Sequence, residues 1–348
     1  IRGLFYRVNY SYAGKYLFEA NGRYDGTSRF PKNSRFGFFP SFSAGWRVSE
    51  ESFMQGMNSY LSNLKLRASW GSIGNQVILK SDNTPDNYPY IPDMNVYLSS
   101  WLVDGQKITT LGAPAMVSSS FGWEKVYTLD FGFDLDLFDN KLNTTFDCYR
   151  RDNKGMLAPG MELPGVVGAS AAKQNAADLK TYGWELKINW RDQIGQVGYR
   201  VGFNLYDSQS EITKYDNEAG LIGSNIYRKG MKLGEIWGYV TDRFYTEDDF
   251  NADGTLKPGI PMFKGAGKVY PGDILYKNFD EDTEYIFQGE NTVYNPGDQR
   301  IIGNNTPRYQ YGITAGVTYK GFDLSIFLRG VGKRDYWRTD QMAWPTGG

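Results

Sequence analysis

The stretch that decides the fold is Lys125–Phe138, K-V-Y-T-L-D-F-G-F-D-L-D-L-F. From Tyr127 onward every second residue is apolar, whereas Asp130, Asp134 and Asp136 belong to the other set. Because strand side chains alternate between two faces, this stretch predicts a strand with one apolar and one acidic face. The alternation outlasts the roughly five or six residues of an ordinary soluble strand and reaches the roughly nine to eleven that a tilted membrane strand needs. We therefore predict a transmembrane β-strand.

The same alternation recurs along the chain, with short and long connections between its segments. The alternating segments are 4–12, 16–25, 38–48, 64–70, 141–151, 184–190, 199–205, 309–319 and 322–328. The connections predicted to be tight are 13–15, 139–140, 192–196 and 320–321, and the long ones are 74–122, 152–180 and 209–305. Outer-membrane barrels have short periplasmic turns and long extracellular loops. The pattern predicts an all-β, antiparallel transmembrane β-barrel wall with 209–305 as a long extracellular loop region.

Composition agrees with a barrel wall and excludes other classes. Aromatic residues make up 16% of the chain, yet the mean hydropathy is negative, −0.51. A helical membrane protein needs about 20 consecutive apolar residues for each span, and the sequence has no such run, whereas a barrel exposes only alternate residues to lipid. The net charge of −1, with lysines and arginines scattered, gives no basic field for nucleic acid.

The residues of common catalytic and metal sites are scarce. The chain has no histidine, which removes the Ser-His-Asp triad, the Cys-His pair and the commonest general base. The one cysteine, Cys148, rules out an intrachain disulfide and alternates in step with Thr144 and Phe146. We therefore predict a wall residue at this position, no catalytic residue, and a protein that is not an enzyme.

Alternation alone does not say which face is outside, since a soluble barrel or sandwich alternates with its apolar face inward. Strand length, the charges on the second face and aromatic residues at the ends of the apolar faces favour lipid outside. These aromatic residues are Trp123, Trp184, Trp190, Tyr199, Tyr309 and Tyr319. Amphipathic rings form girdles at membrane interfaces. A soluble sandwich remains the alternative at this point.

A set of motifs follows in order along nearly the whole chain. The most specific is Gly303–Gly312, G-N-N-T-P-R-Y-Q-Y-G, followed by Tyr319–Ser325 and Gly330–Asp335. Further blocks are 34–41, 44–47, 64–75, 140–157, 163–175, 183–185 and 271–273. Together they resemble the SusC/RagA family of TonB-linked outer-membrane transporters. The resemblance implies that residues 1–348 form a partial barrel domain, part of a 22-stranded barrel with a plugged lumen.

The resemblance also implies where the protein acts and with what. We expect multi-pass location in the bacterial outer membrane, in contact with lipid, and active import of oligosaccharides or peptides energised through TonB. The expected partners are a SusD-like lipoprotein lid and a second such pair in a dimer; no cofactor is required and no nucleic acid is bound. The chain opens inside a strand-like run without a signal peptide, so we expect an internal piece that lacks the plug, the N-terminal barrel strands and the last strands. A passive porin or adhesive barrel is the alternative, and a soluble carbohydrate-binding or hydrolytic β-domain is less favoured.

Aromatic residues in the predicted long loops are the candidate solute-binding residues. They are Tyr88, Tyr90, Trp101, Trp237 and Tyr239. Aromatic rings can stack on sugar rings or anchor peptide side chains. Packing of the loops against one another is the alternative role for each of them.

Two acidic stretches have spacings that bear on calcium. In the first, oxygen-bearing side chains occupy alternate positions: Asn278, Asp280, Asp282 and Glu284. Such oxygens suit a calcium ion, but Glu281 and Thr283 stand where glycines would help a loop to turn, so a solvated acidic loop is the favoured interpretation. The second matches the first half of an EF-hand loop, with Ile260 in place of the required glutamate: Asp249, Asn251, Asp253 and Gly254. We predict an Asx-type turn there.

Overall fold

A computed structural model describes residues 2–57, 59–79, 84–114, 116–117, 121–159, 166, 172–223, 226–265, 267–279 and 285–338. The chain divides into two compact units. The sheet unit comprises Ile1–Asp216 with Arg308–Gly332, and the insert unit comprises Asn217–Pro307 with Lys333–Gly348. The predicted loop region 209–305 overlaps the insert unit, while its first residues continue a strand of the sheet unit.

Most described residues of the sheet unit lie in strands. Its strands are β1 (Arg2–Tyr12), β2 (Tyr16–Gly26), β3 (Phe36–Arg47), β4 (Leu61–Asn75), β5 (Val96–Val103), β6 (Gln106–Leu111), β7 (Glu124–Leu137), β8 (Leu142–Pro159), β9 (Lys173–Ile194) and β10 (Val197–Lys214). The insert unit contains β11 (Glu235–Tyr239), β12 (Thr241–Phe244), β13 (Met262–Phe263), β14 (Ile274–Tyr276), β15 (Tyr285–Ile286) and β16 (Gln299–Asn304). The sheet unit resumes with β17 (Arg308–Tyr319) and β18 (Phe322–Lys333). Short 3₁₀ helices occur at Lys32–Ser34, Val48–Glu50, Ser52–Met57 and Glu247–Asp249. In the described part of the chain, no helix combines the length and the apolar character needed to cross a membrane.

Ten strands form one antiparallel sheet in the order β1-β2-β3-β4-β7-β8-β9-β10-β17-β18. Their lengths run from 11 to 22 residues, which confirms the prediction of strands longer than those of soluble proteins. The remaining strands pair locally, β5 with β6 in the sheet unit, and β11 with β16, β12 with β14 and β13 with β15 in the insert unit.

The register gives this sheet two chemically different faces. One row of paired residues crosses six strands: Leu66, Phe133, Phe146, Leu186, Leu205 and Tyr311. The adjacent row, whose side chains point to the opposite side, is Lys65, Asp134, Thr145, Lys187, Asn204 and Gly312. We call these sides the apolar face and the polar face. Cys148 pairs with Phe131 and Trp184 and is exposed on the apolar face, as predicted for a wall residue.

Tight turns join neighbouring strands at one end of the sheet, where the strands begin and finish; we call this the turn edge. Ala13 and Gly14 both have positive φ, as do Lys320 and Gly321, and this left-handed backbone matches the twist of a two-residue hairpin. Turns at 13–15, 138–141 and 320–321 confirm the predicted tight connections. The long connections are shorter than predicted around β9, because the ladder between β8 and β9 continues to Pro159 and Lys173 through a bulge.

The most specific motif of the sequence has a structural explanation. In the sheet unit, Arg308 donates from Nε to Asp207 Oδ1 at 2.6 Å and from Nη2 to Asp207 Oδ2 at 2.5 Å. The next residue, Tyr309, has a φ of 53° and donates its backbone N–H to Asp207 Oδ1 at 3.3 Å. In the insert unit, Asn304 and Thr306 both donate to the carbonyl of Leu233, each at 2.9 Å. The motif therefore fixes backbone at the start of β17 and inside the insert unit.

Candidate functional site

The polar face carries a three-residue ion cluster. Arg67 of β4 donates from Nε to Asp134 Oδ2 at 2.9 Å, and its Nη1 lies 2.9 Å from Asp147 Oδ1. Gly132 pairs with both Arg67 and Asp147, and a Cβ at this glycine would overlap the Asp147 carboxylate. The three charged side chains are 28%, 31% and 23% exposed, so they share a partly hydrated environment. Such a cluster suits a water-filled interior, because unpaired charge in hydrocarbon is costly.

Hydrogen bonds between polar side chains continue on both sides of this cluster. Asp136 accepts from Asn63 at 3.1 Å and from Asn143 at 2.7 Å. Between the outermost strand β1 and its neighbour β2, Arg7 and Glu19 form an ion pair at 2.6 Å. A cavity of about 690 Å³ is lined by the polar-face residues Asn21, Ser43 and Ser69 together with aromatic residues, Phe39, Phe42 and Trp70 among them. The polar face therefore has the chemistry of a surface along which water and polar solutes can lie.

Apolar residues of the loops at the other end of the strands form a small core. Phe30, Ile78 and Phe121 are buried together, and Trp123 and Leu157 pack against them. The Trp123 ring lies 5.3 Å from that of Phe30, and its Nε1 donates to the Arg35 carbonyl at 3.3 Å. The prediction that Trp123 belongs to a membrane girdle is therefore wrong, because its ring is held inside this loop core.

Three candidate solute-binding residues lie in the sheet unit between β4 and β7. Tyr88 is 56% exposed and its backbone N–H donates to Asp86 Oδ1 at 3.1 Å. Tyr90 is half-buried, and Trp101, on β5, is 74% exposed. The rings of Tyr88 and Trp101 are thus accessible to a ligand.

The other two candidates lie on β11 in the insert unit and have different surroundings. Tyr239 packs on the buried cluster of Tyr245, Leu275 and Ile286, with its ring 5.0 Å from that of Phe263. Trp237 is half-buried beneath the Arg228 guanidinium at 5.3 Å, and its buried Nε1 has no hydrogen-bond partner among the described residues.

Trp237 also lines an aromatic cavity of about 530 Å³ in the insert unit. Asp298 is 1% exposed and accepts the backbone N–H groups of Phe279 at 2.7 Å and Phe287 at 2.9 Å, which fixes the two segments that carry these rings. The Arg300 guanidinium lies 4.1 Å from the centre of the Phe279 ring and donates from Nη1 to two backbone carbonyls. The cavity thus combines aromatic faces with a guanidinium that backbone carbonyls hold in place. Aromatic residues beside a few polar groups are common in small-molecule sites.

Sequence reasoning identified Trp237 but missed Phe279, Phe287 and Arg300. Their convergence depends on one buried carboxylate that joins residues distant in sequence, and no periodic signal announces it.

The two acidic stretches differ in what the structure describes. Asp280, Asp282 and Glu284 lie outside the described residues, and Asn278 alone of that predicted calcium set is described. Among the described residues, no group of three His, Cys, Asp or Glu side chains has the geometry of a metal site.

The second stretch forms the Asx-type turn that the sequence predicted. Asp253 Oδ1 accepts from the Thr255 N–H at 3.0 Å and from its hydroxyl at 2.6 Å. Asp249 is engaged by both guanidinium nitrogens of Arg243 and by the Thr246 N–H, and these hydrogen bonds, that of Arg243 first, hold the pKa of Asp249 far below its usual range. The Asp249 carboxylate therefore holds Arg243 and the Thr246 backbone in place.

Strands of 11 to 22 residues, with large apolar side chains exposed on one face and charges on the other, are typical of one class of protein, the wall of a transmembrane β-barrel. The chain matches the family model described as TonB dependent receptor-like, beta-barrel, over residues 1–347. It belongs to the TonB-dependent receptor family, whose barrels lie in the outer membrane.

Individual relatives agree with this assignment. The chain is 30% identical to TonB-dependent receptor P3 of Formosa agariphila over 94% of its own length and 31% of the relative's. It is 32% identical to TonB-dependent receptor SusC of Bacteroides thetaiotaomicron over 83% of its own length and 31% of the relative's. The chain therefore spans about a third of the length of the curated relatives it matches.

Solved structures show the same fold. The RagAB peptide importer in its "open-open" state superposes with a TM-score of 0.70 at 20% identity, covering 94% of this chain and 32% of that one. The "closed-closed" state gives a TM-score of 0.68 with similar coverage. A barrel of this family and fold excludes the soluble sandwich. The apolar face of the sheet therefore faces lipid, as predicted.

Proposed function

We propose that the protein containing this chain actively imports oligosaccharides or peptides through the outer membrane, with energy supplied through TonB. The observation that carries the proposal is the two-faced sheet, in which a continuous apolar row faces lipid while Arg67 is clamped by Asp134 and Asp147 on the opposite side. Family membership supports the coupling to TonB. The role of this chain is to provide part of the wall and its extracellular connections, and the import involves no bond chemistry.

The proposal includes the partners that the resemblance implies. A SusD-like lipoprotein would cover the extracellular loops, and two such pairs would form a dimer. The SusC relative and the RagAB neighbours support pairing with a second protein. Closure of the lid over a bound solute would precede its passage along the polar face.

The accessible aromatic residues are the proposed solute contacts. Tyr88 and Trp101 are exposed in the sheet unit, and the cavity of Trp237, Phe279 and Arg300 offers aromatic rings beside a guanidinium in the insert unit. A sugar ring or a peptide side chain can stack on such rings while its oxygens accept hydrogen bonds.

Uptake in the native host tests the proposed function. Deletion of the gene should abolish uptake of the solute on which the host depends, and deletion of tonB should have the same effect. Uptake that continues at the original rate without TonB, together with open-pore conductance of the purified protein in planar bilayers, would contradict active import and favour a passive porin.

Substitution in the aromatic cavity tests solute contact separately. Phe279→Ala should lower the apparent affinity of uptake about tenfold, which corresponds to a loss of roughly 1.4 kcal/mol of binding free energy. Tyr270→Ala is the matched control, since Tyr270 is an exposed aromatic residue of the same unit that does not line the cavity. Equal uptake by the wild type and both variants, at equal outer-membrane abundance, would exclude this cavity as a contact site while leaving import itself intact.

A further inference from the structure

The connection between β3 and β4 differs from the others at the same edge of the sheet. The other hairpins close through tight turns at 13–15, 138–141, 195–196 and 320–321, whereas this connection contains the 3₁₀ helices Val48–Glu50 and Ser52–Met57. Tight turns mark the periplasmic edge of an outer-membrane barrel. The connection therefore lies on the periplasmic side, where a few residues would have sufficed to join the strands.

Its composition is unusual for a surface segment. No charged residue occurs from Ser52 to Leu64. Phe53 is 68% exposed, Met57 is 53% exposed and Tyr60 is 66% exposed. Exposed apolar side chains that cluster in this way mark a surface that meets a partner or a membrane.

Aromatic rings on the apolar face run up to this segment from both sides. On one side the Tyr16 ring lies 6.4 Å from that of Trp46, which pairs with Leu66 in an apolar row. On the other side the Tyr60 ring lies 6.5 Å from that of Phe138. The Phe138 ring in turn lies 6.2 Å from that of Trp190 on the apolar face. The segment thus fills the interval between two stretches of one aromatic girdle.

The start of the segment is fixed to that girdle by one carboxylate. Glu51 Oε1 accepts from the Tyr16 hydroxyl at 2.6 Å and from Trp46 Nε1 at 3.1 Å, and Oε2 accepts from Lys15 Nζ at 3.1 Å. The neighbouring Glu50 is paired with Arg47 at 2.7 Å. Both acidic residues are therefore matched by cations, and neither opposes contact of the following residues with a lipid surface.

We propose that the Ser52–Met57 helix and Tyr60 lie in the phospholipid headgroup region at the periplasmic edge of the barrel, and complete the girdle between Trp46 and Phe138. Continuity with the lipid-facing girdle identifies phospholipid as the occupant. Phe53 and Met57 bury their side chains at the boundary with the acyl chains, while the Tyr60 ring lies at the level of the headgroups. The segment then anchors the periplasmic edge of the wall against vertical movement.

Spin-label accessibility of the full-length protein tests this placement. All native cysteines, Cys148 among them, are replaced by serine, and a nitroxide is attached to Phe53→Cys or Met57→Cys in liposomes of phosphatidylethanolamine and phosphatidylglycerol. Gln196→Cys is the matched control, because Gln196 is an exposed polar residue in a tight turn at the same edge. Collisions with oxygen report lipid, and collisions with a water-soluble nickel chelate report water.

We expect an oxygen-to-nickel collision ratio several-fold higher at positions 53 and 57 than at position 196. Equal ratios at all three positions would place the segment in water and overturn the proposal. Immobile labels at 53 and 57 that neither reagent reaches would show that protein covers the segment, which would also overturn it. The high exposure of both native side chains makes the labelled variants compatible with folding, and a normal spectrum at position 196 verifies this for the protein background.

Discussion

The two faces of the ten-stranded sheet arise from the same strands yet reverse the usual relation between polarity and burial. On the apolar face, Phe131 is 51% exposed and Leu66 is 42% exposed. On the polar face, the Arg67 side chain is only 28% exposed and is held between two carboxylates. In a soluble protein the large apolar residues would be the buried ones. Among the described residues of these strands, the large apolar side chains of the apolar face are exposed, so this face relies on lipid to cover it.

In the insert unit, by contrast, polarity and burial are related as in a soluble protein, with apolar side chains inside. Tyr245, Leu275 and Ile286 are almost fully buried there, and the chain around them makes turns and short strands. A unit that buries its own apolar residues is suited to water. The difference between the faces of the sheet is therefore a property of the wall and not of the chain as a whole.

A charge placed on the apolar face should lower the free energy of unfolding more than any other change considered below. Phe131→Lys sets an ammonium group at the centre of the apolar run of β7, and we expect a loss of about 2–4 kcal/mol in the free energy of unfolding from liposomes. Ser69→Lys is the matched control on the polar face, where the new cation would pair with Asp130. Urea titration of the full-length protein folded into liposomes measures both. A larger loss for the control would mean that the faces are assigned in reverse.

Filling the space beside Arg67 should cause the next largest loss in the free energy of unfolding. Gly132→Val would place a side chain over the Asp147 carboxylate and 2.7 Å from the Phe146 carbonyl oxygen at its Cβ, so the ion cluster must shift. We expect a loss of about 1–3 kcal/mol, as for overpacking elsewhere. The nearest atom to a Cβ at Gly122 lies 3.6 Å away, so Gly122→Ala should be tolerated. The same urea titration compares the two, and a neutral Gly132→Val would show that the Asp147 side chain and the Phe146 backbone both adjust without cost.

Removal of the Arg67 guanidinium tests whether the polar face is hydrated. Arg67→Met keeps the apolar stem but leaves Asp134 and Asp147 without their shared partner, and we expect a loss of about 1–2 kcal/mol, between the values for exposed and buried pairs. Adding Asp147→Asn to this variant should restore part of the loss because one uncompensated carboxylate disappears. The measured coupling should decrease at high salt. A coupling that salt leaves unchanged would contradict a hydrated polar face.

The sequence predicted the strands, their faces and the tight turns because each depends on neighbours in the chain. Alternation from Tyr127 to Leu137 is sufficient to divide the side chains of β7 between two faces, though not to say which face meets lipid. Ala13-Gly14 is sufficient to predict a hairpin. Strand ends were predicted less well, since the ladder of β8 and β9 continues after apolar alternation stops. Trp123 was misassigned because its position depends on Phe30 and Phe39, which lie far away in sequence.

The candidate site was predictable only in its residue types. Aromatic residues in long loops indicated solute contact, but the grouping of Phe279 and Phe287 depends on the buried Asp298 carboxylate. Likewise, nothing in the alternation distinguishes Trp237, which lines a cavity, from Tyr239, two residues later on the same strand, which packs on a core. Solute binding by these residues stays a prediction. The choice between a solvated acidic loop, the favoured interpretation, and a calcium loop around Asn278 is untested.

Two ion pairs of the polar face differ in their exposure to solvent, and the more exposed one should contribute least to stability. Arg7 and Glu19 form an ion pair at 2.6 Å, but the arginine side chain is 61% exposed, so solvent screens the pair. A double-mutant cycle with Arg7→Gln and Glu19→Gln should give only a small coupling free energy, as expected for an exposed ion pair. Arg67 and Asp134, at half that exposure, should couple more strongly in the same experiment. Equal couplings would mean that both pairs experience the same dielectric environment. The ion cluster at Arg67 would then be no better shielded from water than the pair on the outermost strands β1 and β2.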